Sequence, residues 1–327
     1  MYTCMILISW FGAKAVIASG NNAALGLTTG SLTALFTYAM QILMSLMMLS
    51  MVFVMITMSR SPMRRTTEIL TEEPELKDCD NPVMQVKDGS VDFDNVSFRY
   101  SKTADRYALE NINLHIASGM TVGILGGTGS SKSTLVQLIP RLYDVAQGSI
   151  RVGGVDVRNY DVKALRDAVS MVLQKNVLFS GTIRENLRWG SADASDEALW
   201  DALRAAQADG VVRDKKGRLD AEVEPGGRNF SGGQRQRLTI ARALVRKPEL
   251  LILDDSASAL DFATDAALRK ALARLPWKPT VVLISQRVSS IRHADKIVVL
   301  DDGRMAGLGT HAELKNTCPV YQEICRS

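Results

Sequence analysis

A loop rich in glycine and hydroxyl side chains could bind the phosphate chain of a nucleotide. It consists of Gly126, Gly127, Thr128, Gly129, Ser130, Ser131, Lys132, Ser133 and Thr134. Backbone N–H groups can converge on an anion where side chains are small, and the start of a following helix adds about half a positive charge. Lys132 would then reach the β- and γ-phosphates, and the Ser133 hydroxyl would bind Mg²⁺. The alternative is a plain glycine-rich turn in an α/β domain.

The order of elements around this loop favours the nucleotide site. The apolar run Val122–Leu125 precedes the loop as a strand would, and Leu135–Leu142 follows it as a helix would. The usual pattern, G-x-x-x-x-G-K-S/T, is broken at one place, because Ser131 stands where the second glycine is expected. The sequence therefore predicts a strand, a phosphate loop and a helix, with one atypical loop residue.

Two further apolar runs end on polar residues that could reach the same ligand. They are Leu250–Leu253, followed by Asp254 and Asp255, and Val281–Ile284, followed by Ser285 and Gln286. Continuous apolar runs of this kind are typical of central parallel strands, whose carboxyl ends carry the ligands of α/β sheets. The sequence therefore predicts that three strand ends converge on one nucleotide.

Composition excludes several other kinds of protein. The 327 residues are enough for one large or two ordinary domains. The balance of 39 basic against 35 acidic residues is too even to indicate a nucleic-acid partner. The four cysteines show no close pairing, so neither a zinc site nor a disulfide framework is expected.

The first part of the chain has the composition of membrane helices. No charged residue lies between Lys14 and Arg60. A bilayer core needs about 20 apolar helical residues, and Ser31–Met58 supplies one such span. Met1–Ala18 is a shorter apolar stretch, so the sequence predicts a helical hairpin joined by turn-forming residues in Ser19–Gly30. The alternatives are a cleaved signal peptide for the first stretch and a buried soluble helix for the second.

Basic residues follow the second span directly. They are Arg60, Arg64 and Arg65, and an excess of arginine and lysine marks the cytoplasmic side of a membrane segment. The sequence therefore predicts a multi-pass protein of the cell membrane, with the remainder of the chain in the cytoplasm.

A second motif makes the resemblance to a known family specific. The motif consists of Ser231, Gly232, Gly233 and Gln234. It is followed by a helix-like segment, Leu238–Val245, and by Ser258–Asp261 farther downstream. Together with the phosphate loop and the strand ends, this order resembles the ATP-binding cassette of ABC transporters, in particular exporters whose membrane and ATPase parts are fused in one chain.

The resemblance implies a fold and a division of the chain. The fold would be an α/β P-loop NTPase, an ABC cassette with an antiparallel β subdomain and a helical subdomain, preceded by α-helical transmembrane segments. Residues 1–76 would be the C-terminal remnant of a transmembrane domain, holding about two of the six helices of an exporter half, so that the chain would be N-terminally truncated. Residues 77–90 would be a linker and residues 91–327 the ATP-binding domain.

The resemblance also implies roles for individual residues. Tyr100 matches the aromatic residue that stacks on adenine, with a core strand tyrosine as the alternative. Gln174 matches the glutamine that contacts Mg²⁺ and the attacking water, with a solvated loop residue as the alternative. Asp254 matches the aspartate that supports Mg²⁺, and Asp261 lies in the loop that contacts the other cassette of a dimer. Ser231–Gln234, the signature, would bind the γ-phosphate of an ATP held by that partner.

Three positions depart from the family pattern. The general base is a glutamate in active members, but Asp255 stands there; Gln286 replaces the histidine that contacts the γ-phosphate; and Ser131 replaces a glycine. Misplacing a catalytic group by about 1 Å costs on the order of a hundredfold in rate, and the loss of a charge-stabilising contact costs a similar factor or more. Asp255, Gln286 and Gln174 would therefore be the catalytic residues of a slow site.

The departures predict the degenerate half of a heterodimeric exporter. Its own site would bind ATP and Mg²⁺ and hydrolyse ATP slowly, while its intact signature completes the active site of a second half-transporter. The partners implied are that second half-transporter, the lipid bilayer and a transported substrate. The alternatives are a homodimeric exporter that tolerates these residues and a regulatory nucleotide-binding cassette that does not transport.

Overall fold

The chain falls into two units, Met1–Glu75 and Leu76–Ser327. Their structure, a computed structural model, describes residues 2–74, 76–255 and 260–326. Ser258 and Ala259, which begin the motif that ends at Asp261, lie outside the described residues.

The N-terminal unit forms two helices among residues 2–74, α1 (Tyr2–Ser19) and α2 (Thr29–Leu70). Both are long and apolar enough, by length and composition, to cross a membrane. The 42 residues of α2 extend for roughly 60 Å at the rise of an α-helix, about twice the thickness of a bilayer core.

The helix α2 continues beyond the predicted span Ser31–Met58. The Arg64 guanidinium pairs with Glu68 one turn later, at 2.9 Å, and the Thr66 hydroxyl donates to the carbonyl of Pro62 at 3.1 Å. Pro62 lies inside the helix and has no N–H to donate to the preceding turn. The arginines that follow the apolar run therefore lie on the same helix as the run itself.

The turn between the two helices is fixed by side-chain hydrogen bonds. Asn21 Oδ1 accepts a hydrogen bond from the Thr29 backbone N–H at 2.9 Å, and Thr28 is the N-cap of α2. A Cβ atom on Gly12 would lie 2.2 Å from Leu32 Cδ1. The helices therefore pack closely at this glycine, as the predicted hairpin requires.

Strands of the C-terminal unit form two large sheets and one small pair. In the described residues the strands are β1 Val91–Phe98, β2 Leu109–Ile116, β3 Thr121–Leu125, β4 Gln147–Val152, β5 Val155–Asp156, β6 Val169–Val172, β7 Gly181–Thr182, β8 Glu222–Val223, β9 Leu250–Asp254, β10 Thr280–Ile284, β11 Lys296–Asp301 and β12 Arg304–Gly309. One sheet is antiparallel, with the order β2-β1-β4-β5. The other has the order β12-β11-β3-β10-β9-β6 and is parallel except for β12.

Helices connect and cover these sheets. In the described residues they are α3 Lys132–Gln137, α4 Val162–Ala168, α5 Ile183–Arg188, α6 Asp196–Ala205, α7 Asp209–Arg213, α8 Gly232–Val245, α9 Phe262–Ala273, α10 Val288–Ile291, α11 His311–Thr317 and α12 Pro319–Arg326. The combination of a parallel sheet with helices and an additional antiparallel sheet agrees with the predicted α/β fold.

Hydrophobic cores lie on both faces of the six-stranded sheet. Successive side chains of a strand point to opposite faces, and β9 illustrates the division. Leu250 and Ile252 belong to a core shared with the antiparallel sheet, whereas Leu251 and Leu253 belong to a core shared with α5, α6, α8 and α9. A continuous apolar strand is needed because both faces are covered.

The central strands end side by side. Ile284 of β10 pairs with Ile124 of β3 on one side and with Asp254 of β9 on the other. The residues that follow these positions therefore emerge at the same edge of the sheet, as the sequence predicted.

The segment expected to be a linker, residues 77–90, contacts the C-terminal unit. The Val83 N–H donates to the carbonyl of Asn159 at 2.8 Å, and the Asp161 N–H donates to the carbonyl of Val83 at 3.1 Å. The Val86 side chain is buried in the core. These contacts hold part of the segment along the surface of the cassette-like unit.

Candidate functional site

A cleft of about 320 Å³ lies at the carboxyl ends of β3, β9 and β10. Its described lining residues are Thr128, Gly129, Ser131, Lys132, Ser133, Thr134, Gln174, Asp254, Asp255, Ile284, Ser285 and Gln286. The cleft thus brings together residues predicted from four separate segments. Gly126, Gly127 and Ser130 belong to the same loop but are not among the described residues that line the cleft.

Small residues allow the loop to fold tightly. A Cβ atom on Gly126 would lie 2.3 Å from the carbonyl oxygen of Leu300, and Gly129 has a φ of +83°. The buried Ser130 hydroxyl donates to the carbonyl of Gly127 at 2.9 Å. This geometry requires glycine at both positions, and it presents the loop to the cleft.

Ser131 adopts a backbone conformation that favours glycine. Its φ and ψ are 67° and 25°, in the left-handed region, and its side chain forms no capping hydrogen bond. Such a conformation costs a residue with a Cβ atom about 1 kcal/mol or more. The departure from the loop pattern therefore lies at a strained position.

The helix after the loop is shorter than predicted and begins earlier. The sequence predicted Leu135–Leu142, whereas α3 spans Lys132–Gln137. Pro140 opposes continuation, because proline lacks an N–H and restricts the residue before it. Arg141 then has a φ of 49°. The predicted eight-residue helix is thus wrong in its bounds, although a helix does begin at the loop.

Lys132 is buried at the centre of the loop. Its ammonium group donates to the carbonyls of Gly126 at 2.9 Å and Gly127 at 2.6 Å. Burial lowers the pKa of Lys132, while the charges of Asp254 and Asp255 oppose that shift. A desolvated cation in this position could stabilise the negative charge of phosphate oxygens.

Ser133 and Asp254 meet between the loop and the sheet. Ser133 Oγ donates to Asp254 Oδ2 at 2.8 Å. Burial raises the pKa of Asp254, the Ser133 hydrogen bond opposes this, and the charge of Asp255 raises the pKa further. Hydroxyl, carboxylate and amide oxygens are the ligands that Mg²⁺ prefers, so Ser133, Asp254 and Gln174 fit a magnesium ion.

Asp255 and Gln286 line the same cleft. The Asp255 backbone has a φ of 47°, and its N–H donates to the carbonyl of Ile284 at 2.9 Å. Gln174 Nε2 approaches Asp255 Oδ2 at 3.4 Å. The strand pairing therefore fixes the backbone from which the Asp255 carboxylate extends, while Gln286 is exposed at the end of the neighbouring strand.

Tyr100 lies just beyond β1 and is 58% exposed. Its hydroxyl lies 2.9 Å from Thr134 Oγ1, and its ring meets Phe98 and Tyr143 edge-on, with centroids 4.9 Å and 5.3 Å away. This exposure is that of a surface aromatic rather than of a core strand tyrosine. No sequence pattern indicated Tyr143 or the Thr134 hydroxyl as its neighbours.

The signature lies apart from the described lining of this cleft. Ser231 is the N-cap of α8: its Oγ accepts from the Gln234 N–H at 3.3 Å, and Gln234 Oε1 accepts from the Ser231 N–H at 3.0 Å. Gly232 and Gly233 begin the helix. Asp261 likewise caps α9 by accepting from the Thr264 N–H at 2.9 Å, and the resulting hydrogen bonds lower its pKa.

A family model described as ABC transporter matches residues 109–258, which carry the phosphate loop, the signature and the end of β9. The chain carries an ABC transporter ATP-binding cassette. The resemblance found in the sequence is thereby confirmed for this part of the chain.

Two curated relatives extend the likeness beyond the cassette. An uncharacterized ABC transporter ATP-binding protein of Mycobacterium bovis is 40% identical over 327 residues, which cover 98% of this chain and 55% of the relative. A multidrug efflux ATP-binding/permease protein of Mycobacterium tuberculosis is 39% identical over 260 residues, which cover 80% of this chain and 22% of the relative. The chain therefore spans about half the length, or less, of these relatives.

A solved structure shows the same fold. It is that of a bacterial Atm1-family ABC exporter with ATP bound, and it superposes with a TM-score of 0.81 at 32% sequence identity. The match covers 98% of this chain and 57% of the exporter chain.

The cassette also has a groove lined by aromatic, aliphatic and basic side chains that no sequence motif indicated. Phe179 and Trp189 stack there, with ring centroids 4.5 Å apart, and the Arg242 guanidinium lies 5.8 Å from the centroid of the Phe179 ring. Leu173 and Lys175, which flank Gln174 in the chain, line the same groove. The groove therefore adjoins a residue of the nucleotide cleft.

Proposed function

We propose that the chain is a subunit of an ATP-driven ABC exporter that binds MgATP in the cleft. The observation that carries this proposal is the 2.8 Å hydrogen bond between Ser133 and Asp254. It joins the phosphate loop to the end of a central strand, where a nucleotide and its metal ion would both be bound.

Several residues of the cleft, and Tyr100 near it, would have separate tasks in binding. The loop N–H groups and Lys132 would hold the phosphates, and the exposed Tyr100 ring would stack on adenine. Ser133, Gln174 and Asp254 would hold the metal ion, which neutralises phosphate charge when it is bound. The buried Lys132 ammonium would exchange its two loop carbonyls for phosphate oxygens, a change that favours its charged form.

Hydrolysis in this cleft would be slow. Asp255 is one methylene shorter than the glutamate of active cassettes, so its carboxylate reaches less far from a backbone that the Ile284 hydrogen bond holds in place. Gln286 can donate a hydrogen bond to the γ-phosphate but carries no positive charge. These two residues support a degenerate site that binds ATP and turns it over weakly.

The signature would serve a second half-transporter. Ser231 and Gly232 are exposed, and the capped N-terminus of the 14-residue α8 presents backbone N–H groups and a partial positive charge. Because the signature does not line the described part of this chain's own cleft, its ligand would be the γ-phosphate of an ATP on the partner. An intact signature beside an altered cleft favours a heterodimer.

The two apolar helices would cross the cell membrane, with the arginines of α2 and the cassette in the cytoplasm. The groove that contains Phe179 and Trp189 would receive cytoplasmic loops of an exporter's transmembrane helices, because large exposed aromatic residues mark contact surfaces. Its position beside Gln174 would link those loops to the nucleotide cleft.

Photolabelling with an azido analogue of ATP tests the binding proposal. Lys132→Ala should abolish labelling, since it removes the cation at the centre of the loop, whereas Lys102→Ala, an exposed control, should not change it. Ser131→Gly should label equally or more strongly. Unchanged labelling of Lys132→Ala, with wild-type thermal stability, would exclude the loop as the phosphate site.

A further inference from the structure

A larger cleft of about 640 Å³ lies at the opposite end of the strands from the nucleotide cleft. Thr121 and Val281, near the amino ends of β3 and β10, line it together with the second half of α9. Among the described residues, the two clefts share no lining residue. A ligand in the larger cleft would therefore not compete directly with a nucleotide.

The larger cleft combines an apolar floor with a basic rim. Leu272 and Leu283 contribute to the floor, and Arg269, Lys270 and Lys278 contribute to the rim. Its volume is within the range of about 300–1,000 Å³ that is usual for small-molecule sites, which likewise combine apolar walls with a few polar groups.

The charges around the cleft are only partly neutralised. Arg269 forms an ion pair with Asp265 at 3.0 Å. Lys270 and Lys278 form no ion pair with any described residue, and both are exposed at the rim. Among the described lining residues, Asp295 is the one with a carboxylate, and it accepts a hydrogen bond from the Thr121 N–H at 2.8 Å. The described lining therefore has two lysine charges without an ion-pair partner and one carboxylate, which leaves an excess of positive charge.

A histidine supplies a neutral donor at the same rim. His293 lines the cleft, and its Nε2 accepts a hydrogen bond from Arg292 Nε at 3.1 Å. The ring proton is therefore assigned to Nδ1. Burial and the charges of Arg269 and Arg292 lower the pKa of His293, although Asp265 opposes the shift, and both this direction and the hydrogen bond to Nε2 favour the neutral ring.

We propose that this cleft binds a small organic anion with an apolar body, such as an aromatic carboxylate or sulfonate. The apolar body would cover Leu272 and Leu283, and the anionic group would pair with Lys270 and Lys278. Charge-assisted hydrogen bonds of this kind are stronger than neutral ones, so the anion is preferred over a neutral molecule of the same shape.

Isothermal titration calorimetry on the full chain in lipid nanodiscs tests this site, with 1-naphthalenesulfonate as the probe and empty nanodiscs as the blank. Saturating ATP occupies the nucleotide cleft throughout. The wild-type chain should bind one probe molecule, and Lys270→Glu/Lys278→Glu should bind it at least about tenfold more weakly, because two attractive charges become repulsive.

Two controls separate the site from general electrostatics and from lipid. Lys102→Glu/Lys216→Glu changes net charge equally at exposed positions away from the cleft and should bind within about twofold of wild type. Neutral 1-naphthalenemethanol should bind with the same affinity to all three proteins. Absence of saturable binding, or an equal loss in both double variants, would overturn the proposal.

Discussion

Ser133 Oγ donates a hydrogen bond of 2.8 Å to Asp254 Oδ2, and this contact joins the first turn of α3 to the last residue of β9. The two oxygens come from positions 121 residues apart in the chain. Only the folded sheet brings them together, so their contact shows that the edge of the cleft proposed to bind magnesium has formed.

Replacing Ser133 by alanine removes one oxygen that we propose binds the metal ion, and Ser133 does not belong to the hydrophobic core. We expect Ser133→Ala to weaken binding of MgATP by about tenfold or more, and to leave binding of ATP in EDTA within about twofold of wild type. A filter assay with labelled ATP measures both. Ser289→Ala, an exposed hydroxyl control, should change neither, and an equal loss with and without Mg²⁺ would contradict the metal role.

Replacing Ser131 by glycine should stabilise the fold. The left-handed φ of 67° is accessible to glycine without a Cβ clash, so Ser131→Gly should raise the free energy of unfolding by about 1 kcal/mol. Ser131→Ala keeps the clash and loses no capping bond, so it should show no gain. Urea titrations of the three proteins measure the difference, and a gain in both variants would refute the strain argument.

Asp254 should make stability depend on pH in a direction unusual for an aspartate. Burial raises its folded-state pKa above 3.8, so the unfolded chain releases the proton at lower pH than the folded chain does. The contribution of Asp254 to the free energy of unfolding is therefore fully present below pH 3.8 and is lost as pH rises through the raised pKa. Asp254→Asn, which keeps an oxygen for Ser133, should have a higher Tm than wild type at pH 7.5.

The pH dependence of the Tm difference between Asp254→Asn and wild type serves as the control. The gain in Tm of Asp254→Asn over wild type should shrink as pH is lowered from 7.5 through the raised pKa of Asp254 towards 3.8, because wild-type Asp254 becomes protonated. A gain that stays constant over this range, or a loss at pH 7.5, would show that the buried charge is not the cause.

The division of labour between two nucleotide sites can be tested in a heterodimer assembled with a full second half. Asp255→Asn should change steady-state ATP hydrolysis by less than about twofold, because a poorly placed base has little rate left to lose. Ser231→Arg should nearly stop hydrolysis by blocking the partner's γ-phosphate. Asp255→Glu/Gln286→His should instead add activity at this chain's own cleft. Loss of most activity in Asp255→Asn with a mild effect of Ser231→Arg would favour the homodimer.

The sequence predicted those parts of the cleft that depend on local pattern. Apolar runs before Asp254 and Ser285 identified strands that do end side by side, and the Ser231 motif identified the start of a helix. The predicted helix end at Leu142 was wrong because Pro140 opposes continuation of the helix. The stacking of Phe179 on Trp189 joins residues ten positions apart through tertiary packing, which leaves no periodic trace in the sequence.

The proline within α2 gives that helix a preferred point of flexure. A continuous hydrogen-bonded helix behaves as a stiff rod, and a torque applied near one end is felt at the other. Pro62 removes one of the bonds that stiffen the rod, one turn after Met58, where the uncharged stretch gives way to Arg60. Bending of the helix would therefore concentrate where its uncharged stretch gives way to basic residues, and the segment that ends at Leu70 could change direction there relative to the apolar part.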